Sequence, residues 1–248
     1  LKQWLEKRFA KGTKGITAKT LHKSIQVHAD AFYLFNEIVE MRRASQVSPL
    51  HFALIANAFP YMDVEAWASH SKSFLTALKE AKKSENISQK DETPPNKAKV
   101  YLTGSPIIFP NYKLLSIIEQ VGMEVVADDI CSMERVFPGG AAFEDRSEYA
   151  LIRAIAERHH KACICPTFAD NRRRIHAIFN VLEKEKINAV IFHVLKGCHP
   201  YDMEAGLLEN KLKARGIRCI KIETDYVRED EQNILTRLEA FRRTLGTL

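Results

Sequence analysis

No apolar run in this sequence approaches the roughly 20 residues needed to cross a bilayer as a helix, so no membrane partner is expected. No secretory leader is visible, and a cytoplasmic location is expected. The chain opens on Leu1 rather than Met and reads as a fragment or a trimmed piece. No GxGxxG and no GxxxxGKS/T loop is present, so a dinucleotide or P-loop site is poorly supported. A clustered basic patch is lacking as well. The net charge of +6 is spread along helices with acids nearby, and no nucleic-acid partner is expected. Arg172-Arg173-Arg174 is the densest basic run; it fits an exposed turn, or a helix start beside anionic groups.

What is present is an alternation of β and α patterns in the second half. The clearest unit runs from Val190 to Tyr226. The β-branched run from Ala189 to Val194 leads into the turn Lys196-Gly197-Cys198-His199-Pro200. A helical pattern follows, with apolar Met203, Leu207, Leu208 and Leu212, closed by Gly216. A second run, Ile217 to Ile222, ends in Glu223-Thr224-Asp225. Such a βαβ unit crosses over right-handedly and joins parallel strands.

Upstream, Val100 to Thr103 and Met123 to Ala127 are the preceding strands, with a helix from Tyr112 to Val121 between them. Helices over Ser147 to His160, Asp170 to Lys186 and Glu229 to Leu245 complete the pattern. The expected fold is α/β, a doubly wound parallel sheet of about four strands preceded by a helical segment. The division is a helical segment over 1–84, a linker over 85–98 and an α/β domain over 99–248. In the helical segment Leu21, Ile25, His28, Phe32, Phe35 and Val39 alternate in steps of four and three, one apolar stripe. His28 in that stripe is expected as a half-buried packing residue.

Five cysteines are present, and the odd count argues against a disulfide framework. Cys131 and Cys198 follow the carboxyl ends of strands, where open parallel sheets bind ligands. Cys163 and Cys165 lie in a loop just before a helix. Thiols converging there suit a soft metal centre. No CxxCxxC run is present, and spacing alone equally allows buried packing cysteines. Cys219, inside the last strand, fits the packing role.

The segments LTGSP (Leu102 to Pro106), VVADDIC (Val125 to Cys131), CPTFADNRRR (Cys165 to Arg174), KGCHPYDME (Lys196 to Glu204), IETDY (Ile222 to Tyr226) and TRLEAF (Thr236 to Phe241) carry a resemblance. With the N-terminal stretch from Thr20 to Phe52 they resemble the 2-hydroxyacyl-CoA dehydratase and benzoyl-CoA reductase subunit family, over nearly the whole chain. Members of that family carry a further α/β domain ahead of the helical segment, which supplies many acyl-CoA contacts.

The resemblance implies a 4Fe-4S cluster held by Cys131, Cys165 and Cys198, with Cys163 a near alternative to Cys165. It implies one-electron reduction of an acyl-CoA thioester followed by loss of water, or ring reduction as in benzoyl-CoA reductase. Implied partners are a homologous second subunit, an ATP-dependent electron-donating activator and an acyl-CoA substrate. A non-enzymatic cluster or zinc protein is a further reading of the same cysteines. Asp128 and Asp129 are expected to cap the following turn or to support the site from behind. Ser105 is expected to start a turn, His199 to lie exposed, and Glu223, Asp225 and Tyr226 to fix their loop by hydrogen bonds.

Overall fold

Helix α1 (Lys2–Phe9) precedes the long α2 (Ala18–Arg43). The hydroxyl of Thr17 accepts from the Thr20 N–H, and the Thr20 hydroxyl accepts from the Thr17 N–H, so both ends of the first turn of α2 are satisfied. The expected stripe faces inward: Ile25, Phe35 and Val39 are buried and His28 is half-buried. Ser48 and Pro49 start α3 (Pro49–Ala58), and α4 (Val64–Ser88) follows. The computed structural model describes residues 2–9, 15–88, 97–137, 139–161, 165–166 and 170–246. Most of the expected linker lies outside that set, and α4 runs to Ser88, past its expected start.

Four strands follow: β1 (Ala98–Gly104), β2 (Met123–Asp128), β3 (Ala189–Leu195) and β4 (Arg218–Thr224). They are parallel and lie in the order β2-β1-β3-β4. Helices α5 (Lys113–Gln120) and α9 (Glu231–Leu245) pack in one apolar layer with α2 and α3. Helices α7 (Arg172–Lys184) and α8 (His199–Lys213) pack in the other, and α6 (Glu148–Lys161) lies against α2. This is the doubly wound sheet expected from the β–α alternation. Its winding reverses between β1 and β3, which is where such sheets open a crevice at their carboxyl edge.

The helical segment and one sheet face share a core. Phe137, in the loop after Cys131, stacks on Phe35 at 4.3 Å and lies 5.1 Å from the Trp67 ring. At the switch point, Gly104 has φ 118°, and a Cβ there would stand 1.9 Å from the His193 carbonyl oxygen. Only glycine lets β1 leave the sheet so close to β3.

Helix α8 buries Leu208 and Leu212 as its sequence suggests, but not Met203 and Leu207. Tyr201, Glu204, Ala205, Leu208 and Leu212 are buried, whereas Met203 and Leu207 are 81% and 51% exposed. Both stripes have helical spacing. A buried arginine that takes up Glu204 goes with the inward face observed.

Candidate functional site

Strand geometry sends consecutive side chains to opposite faces, and Asp128 and Asp129 at the end of β2 use both. Asp128 meets Arg42 of α2 at 2.6 Å and accepts from the N–H groups of Ile130 (2.8 Å) and Glu134 (3.2 Å). It therefore caps the turn that carries Cys131 and also pairs with a buried cation. Arg42 also holds Glu134 and lies 3.8 Å over the Phe52 ring. Burial pushes both Asp128 and Glu134 up, Glu134 to about 7, against the pull of Arg42.

Asp129 meets Arg174 of α7 at 2.7 Å. This contact is a charge pair, because neither the Arg174 Nε nor the Asp129 oxygens make a directed hydrogen bond. Arg174 also pairs with Glu204 of α8 and donates to Thr103 Oγ1 of β1 at 2.7 Å. Asn171 adds a hydrogen bond to Glu204 at 2.9 Å. Although burial opposes the charge, Asp129 and Glu204 raise the Arg174 pKa and keep it ionised. The run Arg172-Arg173-Arg174 opens α7 and is not a turn; its first two residues are exposed, and the third is buried beside anionic groups, the helix-start reading.

Arg174 therefore touches the segments around all three predicted cysteines. Asp129 precedes Cys131 by two residues, Glu204 lies on the helix that Cys198 opens, and Arg174 heads the helix that follows Cys165. Cys131 is exposed at the edge, and Cys165 and Cys198 are half-buried. Burial pushes the Cys131 thiol up; Arg135 opposes this, and the nearby Cys165 adds to it. Cys131 and Cys165 are thus brought within electrostatic reach of each other.

Cys198 occupies the N-cap of α8, where the positive end of the helix favours bound negative charge. It reaches Cys131 only indirectly. Tyr201, in the first turn of α8, accepts from Arg135 at 2.7 Å and feels the charge of Cys131. Cys163 lies outside the described residues. Among the described residues no three His, Cys, Asp or Glu side chains close on one point as a single ion requires. A four-iron cluster spaces its thiolates further apart than one ion does. Three thiols, two of them on segments that Arg174 ties to α7 through Asp129 and Glu204, are a soft donor set that fits such a group.

The other predicted residues have structural roles. The N–H of Ser105 donates to the His193 carbonyl at 2.8 Å, and its Oγ accepts from the Leu195 N–H at 2.9 Å, which ties the end of β1 to β3. His199 is exposed, as expected. Asp225 accepts from the Val227 N–H at 3.0 Å and meets Lys113 at 3.6 Å. Glu223 is exposed, and Tyr226 is half-exposed with no hydrogen bond among the described residues, so Tyr226 does not fix the loop. Cys219 is half-buried against the α7–α8 layer, and burial raises its thiol to about 12.

Three buried residues escaped the sequence reading: Arg42, Arg174 and His193. Periodicity marks the two arginines. Arg42 is the next step of the stripe through Phe35 and Val39, and Arg174 precedes the buried Ile178 and Leu182 by four and eight positions.

His193 of β3 is 1% exposed, with Nδ1 3.0 Å from the Ser105 carbonyl and Nε2 2.8 Å from Thr224 Oγ1. Burial lowers its pKa to about 4, so it stays neutral between β1, β3 and β4. The unfolded chain takes up this proton near pH 6.5, so the His193 contribution to stability is full above that pH and falls away down to about pH 4. The stability gap between wild type and His193→Gln is expected to widen by about 3 kcal/mol as pH rises through this window. Urea titrations of both chains across the window measure that gap, and a constant gap would contradict the assignment.

With this geometry in view, the comparisons decide the family. The sequence matches the family described as 2-hydroxyglutaryl-CoA dehydratase, D-component, over residues 1–245. The chain belongs to this family. It is 23% identical over 233 residues to the (R)-phenyllactyl-CoA dehydratase beta subunit of Clostridium sporogenes, covering 93% of this chain and 58% of that protein. It is 24% identical over 218 residues to subunit beta of (R)-2-hydroxyglutaryl-CoA dehydratase of Acidaminococcus fermentans, covering 84% of this chain and 57% of that protein. The chain thus spans somewhat over half the length of these relatives. Among the described residues no helix is long and apolar enough to cross a membrane.

Proposed function

We propose that this chain is the cluster-bearing part of a radical 2-hydroxyacyl-CoA dehydratase subunit, with Cys131, Cys165 and Cys198 as the ligands of a 4Fe-4S cluster. What supports this reading is that Arg174 pairs with Asp129, two residues before Cys131, and with Glu204, on the helix that Cys198 opens, while Cys131 lies within electrostatic reach of Cys165. When bound, such a cluster supplies one-electron chemistry and an iron able to act as a Lewis acid. The protein's own part is positional. Arg174 and Arg42 fix the Cys131 turn from both sides, and Arg174 holds α8 through Glu204. Tyr201, Phe192 and Val194 form a dry wall behind Cys198. His193 stays neutral under the rim and holds the ends of three strands together.

The names of the relatives support a 2-hydroxyacyl-CoA as the substrate class and a second, homologous subunit as the partner. An ATP-dependent activator would supply the electron. The test is an anaerobic assay of the chain with a D-component partner subunit and a reduced activator. The expected product is the 2-enoyl-CoA, formed with loss of one water and read by mass spectrometry. Return of unchanged 2-hydroxyacyl-CoA, with the cluster confirmed present, would sink the dehydratase reading.

A further inference from the structure

Arg158, on α6, differs from Arg42, Arg43 and Arg174. Arg42, Arg43 and Arg174 each meet at least two carboxylates. Arg158 is half-buried, and its hydrogen bond among the described residues runs from Nε to the Gly139 carbonyl. Burial lowers its pKa, and no carboxylate opposes that shift. A guanidinium taken from water without a counter-ion is unfavourable. Among the described residues no carboxylate balances this charge.

A pocket of about 150 Å³ lies around it. Ser24 and His28 of α2 form one wall, His159 of α6 another, and Gly139 and Gly140 a third. Among the described residues no Asp or Glu lines it. The Nδ1 of His28 donates to the Ser24 carbonyl at 2.8 Å, which leaves Nε2 of the neutral ring as an acceptor for the P–OH of a hydrogen phosphate. The N–H groups of Gly140 and Ala141 donate to no protein group among the described residues. The volume is that of cavities that accept a benzene-sized molecule, enough for one tetrahedral anion but not for a whole nucleotide.

We propose that this pocket binds a phosphate group, either inorganic phosphate or that of a phosphomonoester, with Arg158 as the main donor and His28 and His159 beside it. A planar guanidinium matches two phosphate oxygens at once. The pocket joins two segments of the rim, since the Gly139–Gly140 loop follows the Cys131 turn and α6 ends four residues before Cys165. Bound phosphate would brace both. The inference does not depend on the cluster, and its test uses no enzyme activity.

Titration calorimetry of the chain, in a buffer free of phosphate, is done with inorganic phosphate and then with adenosine 3′-monophosphate. Saturable binding is expected in wild type. Arg158→Gln is expected to weaken it at least tenfold. Gly140→Asp is expected to abolish it without disturbing the fold, because a Cβ there meets nothing within 4 Å. Tighter binding of the nucleotide than of the free ion assigns the site to a phosphomonoester; equal or weaker binding assigns it to phosphate itself. No saturable heat in wild type at millimolar ligand, or equal affinity in all three chains, overturns the proposal.

Discussion

Replacing Arg174 with methionine is expected to lower stability by about 3–5 kcal/mol, the range for breaking a buried ion pair from one side. The loss comes less from the missing attraction than from what remains. Asp129 and Glu204 are both buried, and Arg174 is the cation that each contacts. Without it they must protonate, or draw water into the layer beside Tyr201. Arg172→Met, on the same turn of helix, is expected to leave the urea midpoint unchanged, because Arg172 points into solvent and pairs with the exposed Asp170. Urea denaturation of the two variants measures the contrast. Equal losses would mean that the run acts as one basic patch and not through a single buried guanidinium.

The second large effect concerns the cysteines. Cys198→Ser is expected to lose the cluster almost completely after anaerobic reconstitution, whereas Cys219→Ser keeps it. Serine is close in size to cysteine, but its hydroxyl is a hard, weakly acidic ligand and a poor substitute for thiolate on iron. Both cysteines are half-buried and pack against the same layer, so loss of packing alone would affect them similarly. They differ in place. Cys198 opens α8 at the carboxyl edge, and Cys219 sits within β4 with its thiol pushed to about 12 by burial. Iron bound per chain is the readout. Equal iron in the two variants would remove Cys198 from the ligand set.

Much of this arrangement was legible in the sequence, because β-branched runs, helical stripes and turn residues report local preferences. The strand ends were found to within two residues of Thr103, Ala127, Val194 and Ile222. The positions of Cys131 and Cys198 at the carboxyl edge followed from those ends. Two kinds of feature were not legible. The first is burial of charge: nothing local marks Arg42 or Arg174 as buried, because charged side chains are rarely buried without partners and their partners lie far along the chain. Arg42 meets Asp128, 86 positions away, and Arg174 meets Thr103, 71 positions away. The second is a choice between equivalent stripes. On α8, Met203 and Leu207 have the same helical spacing as Tyr201, Ala205 and Leu208, and hydrophobicity alone prefers the former pair. In the folded chain Glu204 pairs with Arg174 and lies on the face with Tyr201. The sequence of the helix by itself carries no sign of that partner.

The measurement that tests the central claim most directly is metal analysis of anaerobically purified chain: iron, acid-labile sulfide and zinc, followed by EPR of the reduced protein. The account predicts about four irons and four sulfides per chain, the composition of a cubane cluster, and a paramagnetic signal on reduction. Stoichiometric zinc without sulfide, or no metal at all, would contradict it and leave the three cysteines as a structural or packing set.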